Sequence, residues 1–139
     1  MSETIEYSWE EIKELSIEIA NRIKDQGADI QTVVGLSRGG LIPAIIISQI
    51  LNVKFVPVIW QTRDGLTKEK KRIKMYDTET TLIVDDLVDS GLTFFEVTEA
   101  APNAKYCALF NKQASIALDF WGKTLYDDSR WIIFPWENV

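Results

Sequence analysis

The chain contains no histidine. Acid–base work near neutral pH therefore falls to carboxylates, lysine or tyrosine. Cysteine occurs once, as Cys107 inside an apolar run. A single thiol closes no internal disulfide, and this one reads as a small buried hydrophobe. Long apolar stretches are missing too. Nothing approaches the roughly 18 uninterrupted apolar residues of a membrane-spanning helix. The first residues, Met1-Ser2-Glu3-Thr4-Ile5-Glu6, are acidic and hold no apolar signal core, so a cytoplasmic protein is expected. Excess positive charge is absent: 15 Lys and Arg stand against 21 Asp and Glu, a formal charge of −6 that disfavours nonspecific nucleic-acid binding. The P-loop pattern G-x-x-x-x-G-K-[S/T] does not occur. With 139 residues, 46% of them hydrophobic and 26% charged, one globular domain over 1–139 is expected.

What is present centres on Thr81-Leu82-Ile83-Val84-Asp85-Asp86-Leu87-Val88-Asp89-Ser90-Gly91-Leu92-Thr93. An apolar run ends in two adjacent carboxylates. A third follows, and then Ser-Gly-x-Thr. The run has the composition and length of a buried strand. Phe94 to Ala101 suits a short helix stopped by Pro102. Strand, loop and helix N-terminus in that order present unpaired N–H groups and a positive dipole end, which bind phosphate. Gly91 lets the backbone turn closely, and Ser90 and Thr93 add hydroxyl donors. Carboxylates beside a phosphate site are costly without other work. Holding a sugar diol or a divalent cation is such work. A Walker B strand also ends in Asp-Asp, but its partner loop is missing. An EF-hand loop fails because, counted from Asp86, the third position is Val88.

The rest of the chain alternates. Ser8-Trp9-Glu10-Glu11 matches a capping box. Ile12, Leu15, Ile19 and Ile23 then follow helical spacing, and Gly27 suits the stop. Thr32 to Leu36 reads as a strand, Leu41 to Asn52 as an apolar helix, and Val53 to Trp60 as a strand again. Such alternation requires parallel pairing through crossovers and hence an α/β fold. Residues 61–79 break the pattern. They hold Gly65 and the run Lys68-Glu69-Lys70-Lys71-Arg72-Ile73-Lys74, and read as a surface loop or short hairpin. Lys105 to Phe110 reads as another strand, and the tail carries two apolar pieces, Leu118 to Trp121 and Trp131 to Phe134. A second strand–loop–helix junction is Leu36-Ser37-Arg38-Gly39-Gly40. Its glycines permit close approach, and Arg38 can grip phosphate oxygens in bidentate fashion. In a doubly wound sheet both loops open at the carboxyl edge of the strands, where ligands bind.

The 81–93 string resembles the ribose-phosphate signature of type I phosphoribosyltransferases, and Ser37-Arg38-Gly39-Gly40 is similar to their pyrophosphate loop. The resemblance runs from Trp9 to Glu137. It implies a doubly wound, mainly parallel sheet flanked by helices with a small hood, and binding of 5-phosphoribosyl 1-pyrophosphate with Mg2+. On that resemblance Ser37, Arg38, Gly39 and Gly40 bind pyrophosphate. Asp85 and Asp86 hold the ribose diol, directly or through the metal. Asp89 stands by the purine N7 as the catalytic residue that handles its proton. Ser90, Gly91, Leu92 and Thr93 take the 5′-phosphate. The purine-salvage branch usually has a cis peptide in its pyrophosphate loop, here Ser37–Arg38. The 61–79 segment is expected to close over the site and exclude water. A homo-oligomer, dimer or tetramer, is expected.

Asn111-Lys112 and Trp131-Ile132-Ile133-Phe134-Pro135-Trp136-Glu137 look like the xanthine-guanine and hypoxanthine-guanine branch. There a lysine bonds the purine 6-oxo group, an aromatic residue stacks on the base, and the next backbone reads the ring edge. Carried over, these are Lys112, Trp131 and Ile132. Lysine only donates, which favours an oxo over an amino substituent, and Trp offers a wide π-face. Glu137 falls where relatives have an Asp near a second magnesium. Two departures stand out: Gln61-Thr62-Arg63-Asp64 replaces a Ser-Tyr pair, and Ile133 replaces an acidic residue near the purine 2-substituent. The implied reaction joins a guanine, xanthine or hypoxanthine to phosphoribose and releases pyrophosphate. Two alternatives stay open: a non-catalytic regulator that binds the sugar pyrophosphate, and a pyrimidine or adenine enzyme of the same superfamily.

Overall fold

The computed structural model describes residues 3–60 and 66–137, with the backbone alone for Leu66 and Thr67. Five parallel strands form the central sheet in the order β3-β2-β4-β5-β6. They are β2 (Thr32–Ser37), β3 (Lys54–Ile59), β4 (Thr81–Val88), β5 (Lys105–Asn111) and β6 (Phe120–Thr124). Helices α1 (Trp9–Asp25) and α2 (Leu41–Leu51) cover one face. Helices α3 (Leu66–Lys74) and α4 (Leu92–Ala100) cover the other. Burial on both faces explains why the inner strands β2, β4 and β5 read as continuous apolar runs. Along β4, Leu82 and Val84 face α1 and α2 while Ile83 faces α3 and α4.

α1 starts as expected. The Ser8 hydroxyl accepts from the Glu11 N–H, and the Glu11 carboxylate accepts from the Ser8 N–H, both at 3.1 Å. Ile12, Ser16, Ile19, Ala20 and Ile23 form its buried stripe, and Gly27 leaves the helix in the left-handed region at φ 66°. Each fully buried isoleucine contributes about 1.5–3 kcal/mol, so this face holds the helix to the sheet.

Two elements differ from expectation. Residues 66–79 are not a loop or hairpin. They open with α3, whose Ile73 is fully buried, and close with a turn in which Asp77 accepts the Asn103 N–H at 2.7 Å. One anchoring isoleucine among exposed Lys68, Lys71, Arg72 and Lys74 left too little apolar period to read. These residues belong to the packed body rather than to a lid with few anchors. Gln61 to Gly65 lie outside the described residues. The second difference is a small parallel ribbon of β1 (Thr4–Glu6) and β7 (Trp131–Ile133), which joins the two ends of the chain. A three-residue strand shows no legible alternation. With the turn Pro135–Glu137, the ribbon forms the hood.

Candidate active site

The strand order reverses between β2 and β4, because β2 leads through α2 to β3 on one side while β4 lies on the other. Ligands of doubly wound sheets bind at such a switch point. Both loops singled out in the sequence open there. In the first, the Ser37–Arg38 peptide is cis, Ser37 is half-buried and Arg38 exposed. A Cβ at Gly39 would overlap the Asp86 carboxylate, and one at Gly40 would overlap the Val84 carbonyl. The two glycines therefore let the loop rest on β4. The Gly40 and Leu41 amides donate to the Leu36 and Arg38 carbonyls, but Gly40 caps α2 with no side-chain hydrogen bond and no acid follows in the first turn, so the helix dipole remains available to an anion.

The second loop repeats the design. Gly91 has φ 91°, and a Cβ there would also press on Ile116 at 2.7 Å. α4 likewise starts without a side-chain cap. The Ser90 hydroxyl accepts from the Leu92 N–H at 3.3 Å. Residues Leu87 to Phe94, Thr93 among them, line a hollow of about 100 Å³.

The carboxyl groups of Asp85 and Asp86 lie within hydrogen-bonding reach of each other. Asp86 sits against Gly39 and lines the main cavity. Asp85 does not line it; its carboxylate accepts the Asp86 N–H at 2.9 Å and the Tyr106 hydroxyl at 3.1 Å. Burial raises the carboxyl of Asp85 above the usual range. Burial, followed by the charge of Asp85, pushes Asp86 well above it. Burial and the same charge hold the Tyr106 phenol well above its usual range, so it stays a donor. Among the described residues the ion pair recorded is Arg130–Asp128, and neither Asp85 nor Asp86 has a cationic partner. An oxygen-only pair short of positive charge fits a hard divalent cation. No three acidic side chains converge among the described residues. Magnesium commonly takes one or two protein carboxylates and completes its shell with substrate phosphates and water. Glu137 is not gathered with the pair; its Oε1 accepts the Phe134 N–H at 3.0 Å.

The main cavity is about 950 Å³ and joins the phosphate loops to the hood. Arg38, Gly39, Asp86 and Asp89 line it together with Lys112, Trp131, Ile132 and Glu137, and the Lys112 N–H donates to the Val88 carbonyl beside Asp89 at 2.9 Å. Trp131 is 62% exposed, so it is not a core aromatic. Lys112 follows β5, and its ammonium donates to the Arg130 carbonyl at 2.5 Å, which leaves two donors. Arg130 grips Asp128 at 2.8 Å and holds that carboxyl down at about 2. Buried Asn111 ties the lysine's loop: it donates to the Ile116 carbonyl at 3.1 Å and accepts the Gln113 N–H at 2.9 Å. The sequence motifs included Asn111, Phe134 and Trp136 without giving them a role, and gave no sign of Tyr106 or Arg130; the rings of Phe134 and Trp136 stack at 4.7 Å beside the cavity. A buried Asn after a strand and a Pro-Trp tail were visible signals, but neither indicates its neighbours.

Residues 7–136 match the family model described as the phosphoribosyl transferase domain. The chain belongs to the phosphoribosyl transferase family. It is 35% identical to a xanthine-guanine phosphoribosyltransferase of Cereibacter sphaeroides, over 94% of this chain and 84% of that protein. Its fold is similar to a purine phosphoribosyltransferase from Pyrococcus horikoshii, with TM-score 0.72, 24% identity and coverage of 97% and 94%. It is also similar to a hypothetical protein from Neisseria gonorrhoeae with bound ppGpp, with TM-score 0.74, 21% identity and coverage of 99% and 90%. The doubly wound fold expected of the family is the one observed. No helix among the described residues is long and apolar enough to cross a membrane.

Proposed function

We propose that this phosphoribosyltransferase moves the phosphoribosyl group from 5-phosphoribosyl 1-pyrophosphate to a 6-oxopurine. The single observation that carries this is the shared cavity: Arg38, Gly39 and Asp86 meet Lys112 and Trp131 in one hollow. Arg38, with the close backbone at Gly39 and Gly40 and the dipole of α2, binds the pyrophosphate. Ser90 to Thr93 bind the 5′-phosphate. Asp86 and Asp85 hold the ribose hydroxyls. Asp89 stands beside the purine N7 and takes or returns its proton. Trp131 stacks on the base, the Ile132 backbone reads its edge, and Lys112 donates to its 6-oxo group. The C1–O bond to pyrophosphate breaks as the bond from the purine nitrogen to C1 forms. Catalysis is then mainly positioning and charge stabilisation. Asp85 and Asp86 would hold Mg2+, with Glu137 on the wall of the same cavity, and the metal supplies neutralisation of the leaving group.

A steady-state assay with guanine, xanthine, hypoxanthine, adenine and uracil tests the reading. Turnover of the three 6-oxopurines alone is expected. Turnover of adenine or uracil in preference overturns it. The regulator reading is set aside because the 35%-identical relative bears an enzyme's name.

We further propose a homo-oligomer. α2 is apolar apart from Ser48 and Gln49, yet Ile45 is exposed, and so apolar a helix is normally buried. A groove of about 430 Å³ between α1 and α2 is lined by Trp9, Ile17, Ile42, Ile46 and Ile50, with Glu10 and Lys13 at its edge. A second copy related by a two-fold axis can set Glu10 against Lys13. Ile46→Glu is expected to lower the mass measured by sedimentation, and an unchanged mass removes this face from the assembly.

A further inference from the structure

Tyr106 lies on β5 in the fully parallel sheet, and its side chain is buried, with 2% exposure. In the register of β4 and β5 it pairs with Ile83, while Ala108 pairs with Asp85. Tyr106 and Ala108 share the face toward α3 and α4. Asp85, two residues beyond Ile83 on β4, points to that face as well. Ala108 is small and leaves room beside Asp85 for the phenol of Tyr106. The hydroxyl uses that room and donates to Asp85 Oδ2 at 3.1 Å. The other oxygen, Oδ1, accepts the Asp86 N–H at 2.9 Å. Both oxygens of Asp85 are thus fixed from within the protein.

The ring is fixed as well. Phe94, in the first turn of α4, meets it edge to face with centroids 5.0 Å apart. Phe94 follows Thr93 directly, so the ring touches the helix that opens at the 5′-phosphate loop. A hydroxyl is not needed for any of this packing, and a phenylalanine would fill the same space. Burying a hydroxyl there is worthwhile only because it has a carboxylate to address.

We propose that Tyr106 is a positioning residue for the sugar pyrophosphate, acting through Asp85. Its hydroxyl holds Oδ2 while the Asp86 N–H holds Oδ1, so the carboxylate is fixed beside Asp86, the acid that lines the cavity, and the two together meet the ribose hydroxyls. Phe94 seats the phenol and ties that aim to the phosphate loop. The inference rests on the ribose role proposed above for Asp85, and goes beyond it by naming the group that orients this carboxylate.

The test is Tyr106→Phe, which removes only the hydroxyl, beside Asp85→Asn and the double variant. Binding of the sugar pyrophosphate with Mg2+ is measured by calorimetry, KM for each substrate by steady-state assay, and the melting temperature by calorimetric scan. Tyr106→Phe is expected to weaken sugar-pyrophosphate binding about tenfold, the scale for a hydrogen bond to a charged group. The purine KM stays at the parent value. In the double variant the loss equals that of Asp85→Asn alone, since a residue acting through Asp85 has nothing left to act on. Phe94→Leu, which loosens the ring without touching the hydroxyl, gives a smaller loss in the same substrate only. If Tyr106→Phe binds like the parent while Asp85→Asn binds weakly, the positioning role is overturned and the ribose role of Asp85 stands. If Asp85→Asn also binds like the parent, both fall. Losses that add in the double variant, or that strike purine and sugar alike with a lowered melting temperature, mark a packing defect and overturn the proposal. Should Tyr106→Phe not fold, unchanged binding in Phe94→Leu overturns it equally.

Discussion

Asp86→Asn leaves a protein that melts higher than the parent at neutral pH and binds the sugar pyrophosphate about 10- to 100-fold more weakly. The two effects have one origin. Burial, and then the charge of Asp85, holds the Asp86 carboxyl well above its ordinary 3.8 in the fold. The folded chain therefore binds this proton more tightly than the unfolded chain does. The stability that comes with it is fully present below the unfolded value and is lost as pH rises through the raised folded value. At neutral pH the ligand-free protein carries two adjacent carboxylates without a cationic partner among the described residues. Asparagine keeps the shape against Gly39 and removes the repulsion. It also removes the charge that a metal-bound sugar pyrophosphate answers. Thermal scans of both proteins without ligand, from mildly acidic to neutral buffer, check the first effect. The gap in melting temperature should open as pH rises. Calorimetric titration with the sugar pyrophosphate and Mg2+ checks the second. A gap independent of pH, or parent-like affinity, would show that Asp86 does not serve the substrate at the expense of the fold.

That trade-off explains why this stretch was so legible in the sequence. An apolar strand that ends in two carboxylates violates the pattern of its own burial, and such violations cluster where function overrides folding. The same holds for Gly39, Gly40 and Gly91, each at a close approach or a left-handed turn. β2, β4 and β5 were legible because parallel strands covered on both faces are continuous apolar runs of the right length, and the edge strand β3, with Ile59 exposed, through its apolar and β-branched composition. α1 was legible through Ser8, Glu11 and its apolar stripe. α3 was not, because its one described core residue, Ile73, sits in a run of Lys and Arg. β1 was not, because its only reason to be a strand is β7 at the other end of the chain. Contacts of the same origin stayed hidden within the site. Tyr106 and Asp85 lie on neighbouring strands, and Lys112 is steered by a carbonyl at Arg130. Residue types name the candidates. Only register and the closing of the hood say which of them touch.

Lys112→Ala should raise the KM for guanine, xanthine and hypoxanthine about tenfold or more, with the KM for the sugar pyrophosphate unchanged. The ammonium has three donors, and one is committed to the Arg130 carbonyl. The other two face a cavity lined nearby by Trp131, Ile132 and the aromatic pair Phe134 and Trp136, with the carboxylate of Glu137 among them. In that mostly apolar surround, a charged donor to a 6-oxo group is worth about 1.5–3 kcal/mol, and an amino group at the same position would meet a donor with no acceptor. The variant should therefore also narrow the preference for hypoxanthine over adenine. Lys112→Met keeps the side chain's bulk and should behave like the alanine variant, which separates the lost donor from lost packing. Trp131→Ala is the contrast. Its ring is mostly exposed, so removal should scarcely change the melting temperature. Yet it should weaken every base by a similar amount, on the scale of about 1–3 kcal/mol for aromatic–base stacking. Steady-state kinetics with each base at saturating sugar pyrophosphate distinguish the two roles. Parent-like KM values for all three 6-oxopurines in Lys112→Ala would remove the base-reading role. They would leave the sugar and phosphate assignments intact, since those rest on β2, β4 and the loops that follow them.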